Sequence, residues 1–194
     1  MIDLAKQKAV ELQRWQLAHI RPEWQQLINT VARHLVDPGA KTRYQAVAQT
    51  TSVPWPVIAV IHERESSQSW TASLAQGDPW NRSSIHVPKG RGPFHSWEEA
   101  AVDALENCAP FAAKWTDWSI SGALCLLEQY NGEGYWMHGI PSPYLWSGTD
   151  QYRRGKYTAD GHLDLFAVDR QTGCAALLMG MAVLDSTVTQ EFTP

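Results

Sequence analysis

Two carboxyl groups stand close together at the end of an apolar stretch: Glu63 and Glu65, in the segment PWPVIAVIHERESSQSW of residues 54–70. Apolar residues recur at helical spacing before them, which predicts a helix over residues 55–66. At about 100° of rotation per residue, Glu65 continues the apolar stripe, while Glu63 falls on the opposite side with Ala59. We therefore expect Glu65 to be partly buried and Glu63 to face solvent.

A carboxyl on the apolar side of a helix suits one kind of chemistry, the donation of a proton. Loss of water disfavours its charged form and raises its pKa, so the group stays protonated nearer neutral pH. Such a group acts as a general acid toward a leaving oxygen. The pattern leaves one alternative open, in which the helix end turns outward and Glu65 emerges beside Arg64 as a solvated pair.

Two short motifs resemble those of a known superfamily. ESSQSW, residues 65–70, is similar to the glutamate-serine signature that closes the catalytic helix of lytic transglycosylases and goose-type lysozymes. EQYNGEGY, residues 128–135, is similar to the tyrosine-asparagine-glycine motif on a later helix of the same proteins. The wider pattern, over residues 44–180, resembles a lysozyme-like family of phage and bacterial genomes.

This resemblance implies a lysozyme-like fold in which Glu65 is the general acid. It also places Ser66, Tyr130 and Asn131 along a sugar cleft. The amide of Asn131 offers both a donor and an acceptor, which suits an N-acetyl group. Aromatic rings stack on the apolar faces of sugars, and the candidates for this are Trp70, Trp80, Tyr135, Tyr144 and Trp146.

Asp78 is the nearest candidate for a second catalytic carboxyl, since it lies in the polar loop after the predicted helix. The separation of two such carboxyls predicts the outcome of glycoside cleavage. About 6.5–9.5 Å leaves room for a water and gives inversion, and about 5–5.5 Å gives retention through a nucleophile. The alternative is that Asp78 serves only a turn, because Gly-Asp-Pro is favourable turn chemistry.

The function we expect is cleavage of peptidoglycan glycan strands between N-acetylmuramic acid and N-acetylglucosamine, without cofactor or metal. A lytic transglycosylase is one alternative, although the Gly-Leu-Met-Gln stretch usual in that group is replaced by LAQGDPW. The register of plant-type chitinases would instead select Glu63, which directly follows His62. A further alternative is a non-catalytic module that binds glycan or builds a virion.

The elements that must position these residues are mostly helices. Residues 76–95 are rich in glycine and proline, which predicts an irregular loop or small hairpin, and residues 132–165 also have loop spacing. We expect a mainly α (α+β) domain with that hairpin or loop after the catalytic helix. We expect N-terminal helices of residues 1–43 to pack on a lysozyme-like catalytic domain of residues 44–194, and binding of a partner by residues 1–43 stays open. Further helices are predicted over residues 2–20, 24–35, 97–107, 119–130 and 174–184.

Composition and charge narrow the class of protein. The net charge is −4, and the absence of a basic run gives no sign of nucleic-acid binding. The three cysteines are widely spaced, which indicates free thiols made in a reducing compartment. We find no histidine spacing typical of zinc sites, no signal peptide and no membrane span. We expect a monomer synthesised in the cytoplasm that reaches the bacterial wall after release, as a phage-type lysin or virion-borne enzyme.

Overall fold

The computed structural model describes residues 3–75 and 77–192, and most of them are helical. The two strands pair as an antiparallel hairpin. The expected fold class, mainly α with a small β hairpin, is confirmed. In chain order the elements are α1 (Leu4–Leu17), α2 (Pro22–Leu35), α3 (Pro38–Thr51), α4 (Trp55–Ser66), α5 (Trp97–Asn107), a 3-10 turn (Ala112–Lys114), α6 (Ile120–Asn131), α7 (Gly134–Met137), α8 (Pro143–Trp146), β1 (Lys156–Ala159), β2 (His162–Asp164), α9 (Cys174–Leu184) and α10 (Thr187–Gln190).

Helix α4 lies inside the molecule and carries Glu65 near its end. Every residue from Trp55 to His62 is buried, because α3, α6 and α9 pack around this helix. Its predicted bounds are confirmed. The prediction that the side of α4 with Ala59 and Glu63 faces solvent was wrong, since Ala59 is fully buried. Hydrophobic periodicity separates an inner from an outer face only where a helix has an exposed side, and α4 is enclosed as far as His62.

Helix α3 begins where the sequence pattern indicates only the end of α2. The Asp37 carboxylate accepts a hydrogen bond from the backbone N–H of Gly39 at 2.9 Å, and Pro38 takes the first helical position. Both features are start signals for a helix. The expected domain boundary, between residues 43 and 44, therefore falls inside α3.

The N-terminal helices pack directly on the later ones. Helix α1 lies against α6, and α2 lies against α9. At the second crossing Gly180 allows a close approach, because a Cβ there would lie 2.8 Å from Cγ2 of Ile28. Helix α9 is buried on nearly all sides as far as Met181, as its sequence predicts, while Val183 and Leu184 at its end are exposed. Across the described residues, no helix combines the length and apolarity required to span a bilayer.

Two irregular segments connect the central helices. The described residues between 67 and 96 form an irregular loop with an isolated bridge between Ala72 and Pro79, as expected. The hairpin lies in the other segment, where the spacing indicates only a loop, and Gly161 closes it with a φ of 70°. Helices α7 and α8 also lie there. With four residues each, they are too short for periodicity to reveal.

Candidate active site

The Glu65 carboxyl lies at the C-terminal end of α4, partly buried and held by a tyrosine. The hydroxyl of Tyr144, on α8, donates a hydrogen bond to Oε1 of Glu65 at 2.8 Å. Burial raises the pKa of Glu65 to about 7, against smaller opposite effects of Tyr144 and Arg64. The predicted burial and raised pKa are confirmed. The catalytic role of Glu65 stays a prediction.

A second tyrosine comes to the same place from α6. Tyr130 donates a hydrogen bond to the carbonyl oxygen of Leu74 at 3.1 Å. Its pKa is raised well above the usual value by burial, and also by the charge of Glu65. Tyr130 therefore lies close to Glu65, as the tyrosine-asparagine-glycine motif predicts. The sequence marks Tyr144 only as one of several aromatic candidates, and no spacing identifies it as the partner of Glu65.

Arg64 precedes Glu65 in the sequence but points elsewhere. Its guanidinium donates to the carbonyl oxygen of Thr172 at 3.1 Å and to Oδ2 of Asp169 at 3.2 Å. The guanidinium also stacks on the ring of Tyr144, 4.7 Å from its centroid. The alternative of a solvated Glu65–Arg64 pair is contradicted, because the Arg64 side chain is only 6% exposed.

Asp78 is a fixed part of the loop after α4. Its carboxylate accepts hydrogen bonds from the backbone N–H groups of Ile85 at 2.9 Å and His86 at 3.0 Å, and contacts Nδ1 of His86 at 2.6 Å. The bond from the His86 backbone is the main reason why the pKa of Asp78 is lowered. These contacts support the turn interpretation. An ionised carboxylate is also what a base requires, so its role as the second carboxyl stays a prediction.

Glu63 is less exposed than its position on the helix suggests. Nε2 of Gln68 donates to Oε2 of Glu63 at 2.7 Å. Burial raises the pKa of Glu63, while Gln68, Arg64 and His34 act in the opposite direction. A groove of about 680 Å³ opens beside Gln68. It is lined by Arg33, His34, Asp37, Gly39, Ala40, Arg43, Ser67, Gln68 and Trp70, so it lies next to the partner of Glu63 rather than at the Glu65 carboxyl.

A second groove, of about 430 Å³, begins where α6 ends. Asn131 is exposed at its edge, and Tyr135 lies mostly buried against the hairpin. The hydroxyl of Tyr135 accepts a hydrogen bond from the backbone N–H of Tyr157 at 3.0 Å, and the two rings meet edge to face. The groove is lined by Asn131, Gly132, Gly134, Tyr135 and residues 156–161 of the hairpin. It thus brings together two of the residues predicted to bind sugar.

The two remaining predicted binding residues make contacts within the fold. Oγ of Ser66 donates to the carbonyl oxygen of His62 at 3.1 Å, inside α4. Nε1 of Trp80 donates to the carbonyl oxygen of Trp70 at 2.8 Å. Trp80 is half-buried, and its role in stacking stays a prediction.

No family model, curated protein or solved structure matches this chain. Its function is therefore inferred from the site itself and from the motifs that form it. Within the described residues, no group of three histidine, cysteine, aspartate or glutamate side chains is arranged to hold a metal ion. The chemistry available at Glu65 is proton transfer, and Tyr144 and Tyr130 are the side chains that the structure brings to this carboxyl.

Proposed function

We propose that this protein is a glycosidase that cleaves peptidoglycan, with Glu65 as its general acid. The observation that carries the proposal is the Glu65 carboxyl: partly buried, hydrogen-bonded by Tyr144 at 2.8 Å and with a pKa of about 7. A carboxyl with that pKa is mostly protonated in slightly acidic solution and about half protonated at neutral pH. It can therefore give its proton to a glycosidic oxygen and later take one back.

The reaction begins with proton transfer from Glu65 to the oxygen between two sugars. The carbon–oxygen bond breaks, its electrons leave with the oxygen, and positive charge develops on the ring that stays bound. In hydrolysis a water adds to this ring and gives up its proton to a carboxylate base. Asp78 is the candidate to position that water and accept its proton. If Asp78 serves only the loop, attack by the N-acetyl group or the 6-hydroxyl of the substrate replaces it.

The choice of peptidoglycan as the substrate rests on the two motifs at the site. ESSQSW closes α4 at Glu65, and EQYNGEGY spans the end of α6, Asn131 and Tyr135. The groove of about 430 Å³ at Asn131 is large enough for part of a sugar chain. We propose that the enzyme acts on the bacterial wall after release, in the manner of a phage lysin.

Replacement of Glu65 by glutamine tests the proposal. Glu65→Gln keeps the shape of the side chain and removes the acid, so we expect wall clearing to fall by at least about 100-fold. Turbidity of purified cell walls is the measurement, and far-UV circular dichroism checks folding. Glu63→Gln is the matched control on the same helix and should retain activity. Equal activity of Glu65→Gln and the parent would contradict the proposal.

The products separate the remaining alternatives. Mass spectrometry of digested peptidoglycan shows reducing-end muramic acid after hydrolysis and 1,6-anhydro ends after lytic transglycosylation. Loss of activity in Glu63→Gln alone would transfer the acid role to Glu63 and favour the chitinase-like register. Binding of walls by the parent without any turnover would indicate a glycan-binding module.

A further inference from the structure

Arg64 presents an electrostatic problem for the proposed acid. A positive charge near a carboxyl favours the ionised form, and Glu65 must stay protonated to donate. Arg64 is the charged group that acts on the pKa of Glu65. The other titratable groups coupled to Glu65 are Tyr144 on α8, Tyr130 on α6 and Cys174 on α9, and burial raises the pKa of all three. They are neutral at pH 7, so the position of Arg64 decides the local charge.

Asp169 is the charged group that binds Arg64, and the carbonyl oxygen of Thr172 is a second acceptor for the same guanidinium. The Asp169 side chain is 3% exposed, and it bonds Nη2 of Arg64 through Oδ2 at 3.2 Å and Nζ of Lys156 through Oδ1 at 2.9 Å. Burial by itself would raise the pKa of Asp169, but these two cations and the backbone N–H of Gln171 together outweigh it and lower the pKa. Asp169 is thus a buried, ionised carboxylate that accepts hydrogen bonds from Arg64 on α4 and from Lys156 on β1.

The backbone around Asp169 is fixed as well. Its N–H donates to the hydroxyl of Tyr152 at 3.0 Å, and its carbonyl oxygen accepts from Oγ of Ser147 at 3.3 Å. The carboxylate therefore has a defined place, and the Arg64 guanidinium that it binds lies across the ring of Tyr144. Arg64 is kept in an arrangement that packs on the partner of Glu65 without forming an ion pair with Glu65.

We propose that Asp169 is a positioning residue: by binding and neutralising the Arg64 guanidinium, it prevents that charge from pairing with the Glu65 carboxyl. Asp169 does not touch the reacting atoms and acts through Arg64. The importance of this for catalysis rests on the proposed function. The effect of Asp169 on the titration of Glu65 does not depend on the proposed function, and it can be measured without any substrate.

The test is the titration of Glu65 after Asp169→Asn. This change removes the charge that balances Arg64, so the midpoint for Glu65 should fall by about one pH unit. The midpoint is followed by the ¹³C chemical shift of the Glu65 carboxyl, assigned with Glu65→Gln. Asp185→Asn is the matched control, because Asp185 binds Lys41 at 2.6 Å in a separate ion pair. An unchanged midpoint in Asp169→Asn would overturn the proposal.

A second background distinguishes action through Arg64 from a general effect on the fold. With Arg64→Gln in place, adding Asp169→Asn should leave the Glu65 midpoint unchanged, because there is no guanidinium to release. The same downward shift in that background would refute the proposal. This pair of variants also provides the test if Asp169→Asn alone does not fold, since it removes both charges of the buried pair together.

Activity is measured in parallel on purified walls. A general acid loses activity as it ionises, so the alkaline limb of the parent's pH profile should move to lower pH in Asp169→Asn. A shifted titration without any wall clearing by the parent would refute the proposed function and support the role of Asp169. If wall clearing requires Glu65 but the titration of Glu65 does not shift in Asp169→Asn, the proposed function is supported and the role of Asp169 is refuted.

Discussion

At the scale of single residues, the site depends on one carboxyl and the hydroxyl that binds it. Burial raises the pKa of Glu65 and the hydrogen bond from Tyr144 lowers it, and burial has the larger effect. A hydrogen bond to a charged group contributes about 1.5–3 kcal/mol, and each pKa unit corresponds to about 1.4 kcal/mol. Tyr144 therefore keeps the pKa of Glu65 from rising above about 7.

Tyr144→Phe should shift the pH range in which the proposed enzyme is active. Without the hydroxyl, the ionised form of Glu65 loses a donor, so its pKa rises and the alkaline limb of the pH–activity profile moves up by about one pH unit. Wall clearing measured from pH 5 to 9 gives that limb. Tyr44→Phe is a matched control, since the Tyr44 hydroxyl lies 2.9 Å from Nδ1 of His62 on the same helix. A limb that stays in place, or moves down, would show that Tyr144 does not tune Glu65.

At the scale of elements, the placement of Tyr144 depends on helices far away in the chain. Helix α8 has four residues, too few to be stable alone. Trp146 at its end is fully buried, and Nε1 of Trp146 donates to Oε2 of Glu11, on α1, at 2.7 Å. The first helix of the chain thus supports the element that carries the partner of Glu65. Helix α1, within the segment of residues 1–43, therefore helps to position Tyr144, a role that the sequence alone does not reveal.

Glu11→Ala should weaken the whole fold through α8. The variant leaves the buried indole N–H of Trp146 without an acceptor, which costs about 1–3 kcal/mol in the free energy of unfolding. Urea denaturation followed by tryptophan fluorescence measures it. Glu11→Gln retains an acceptor oxygen and should lose less. Glu23→Ala removes a glutamate side chain that is 63% exposed, and a change below about 0.5 kcal/mol is expected. If Glu11→Ala unfolds at the same urea concentration as Glu23→Ala, α1 does not support α8 in this way.

At the scale of the whole molecule, buried carboxyls make stability depend on pH. Glu128 on α6 is 2% exposed, and burial raises its pKa to about 8. Neither of its oxygens makes a hydrogen bond to another described residue, although the Ser142 hydroxyl lies near enough to lower the pKa slightly. Because the folded protein holds this proton more tightly than the unfolded chain, stability falls as pH rises from the unfolded value of 4.5 to about 8.

Glu128→Gln should remove part of this dependence. The parent should lose a few kcal/mol of unfolding free energy between pH 5 and 8, at up to about 1.4 kcal/mol per pH unit from this group. The neutral variant should lose less and should be more stable than the parent at pH 8. Thermal unfolding at a series of pH values tests this. Parallel curves for parent and variant would mean that Glu128 is ionised in the folded protein.

The sequence determines the local features of this protein. Apolar periodicity predicts α4, α5, α6 and α9 to within a few residues of their observed ends, and the apolar stripe places Glu65 on a buried side. Short-range rules suffice there, because a helix and its caps depend on residues that are close along the chain. The same rules failed for α8 and for the exposure of Ala59, which depend on what packs against them.

Only the tertiary structure decided which groups surround Glu65. Tyr144 lies 79 positions after Glu65, and Asp169 lies 105 positions after Arg64. Such contacts form because α4, α8 and the segment before α9 share one core. Side-chain periodicity shows that a residue is inward-facing, but it does not name the residue that will meet it. The proposed acid was therefore identifiable from the sequence, and the environment that sets its pKa was not.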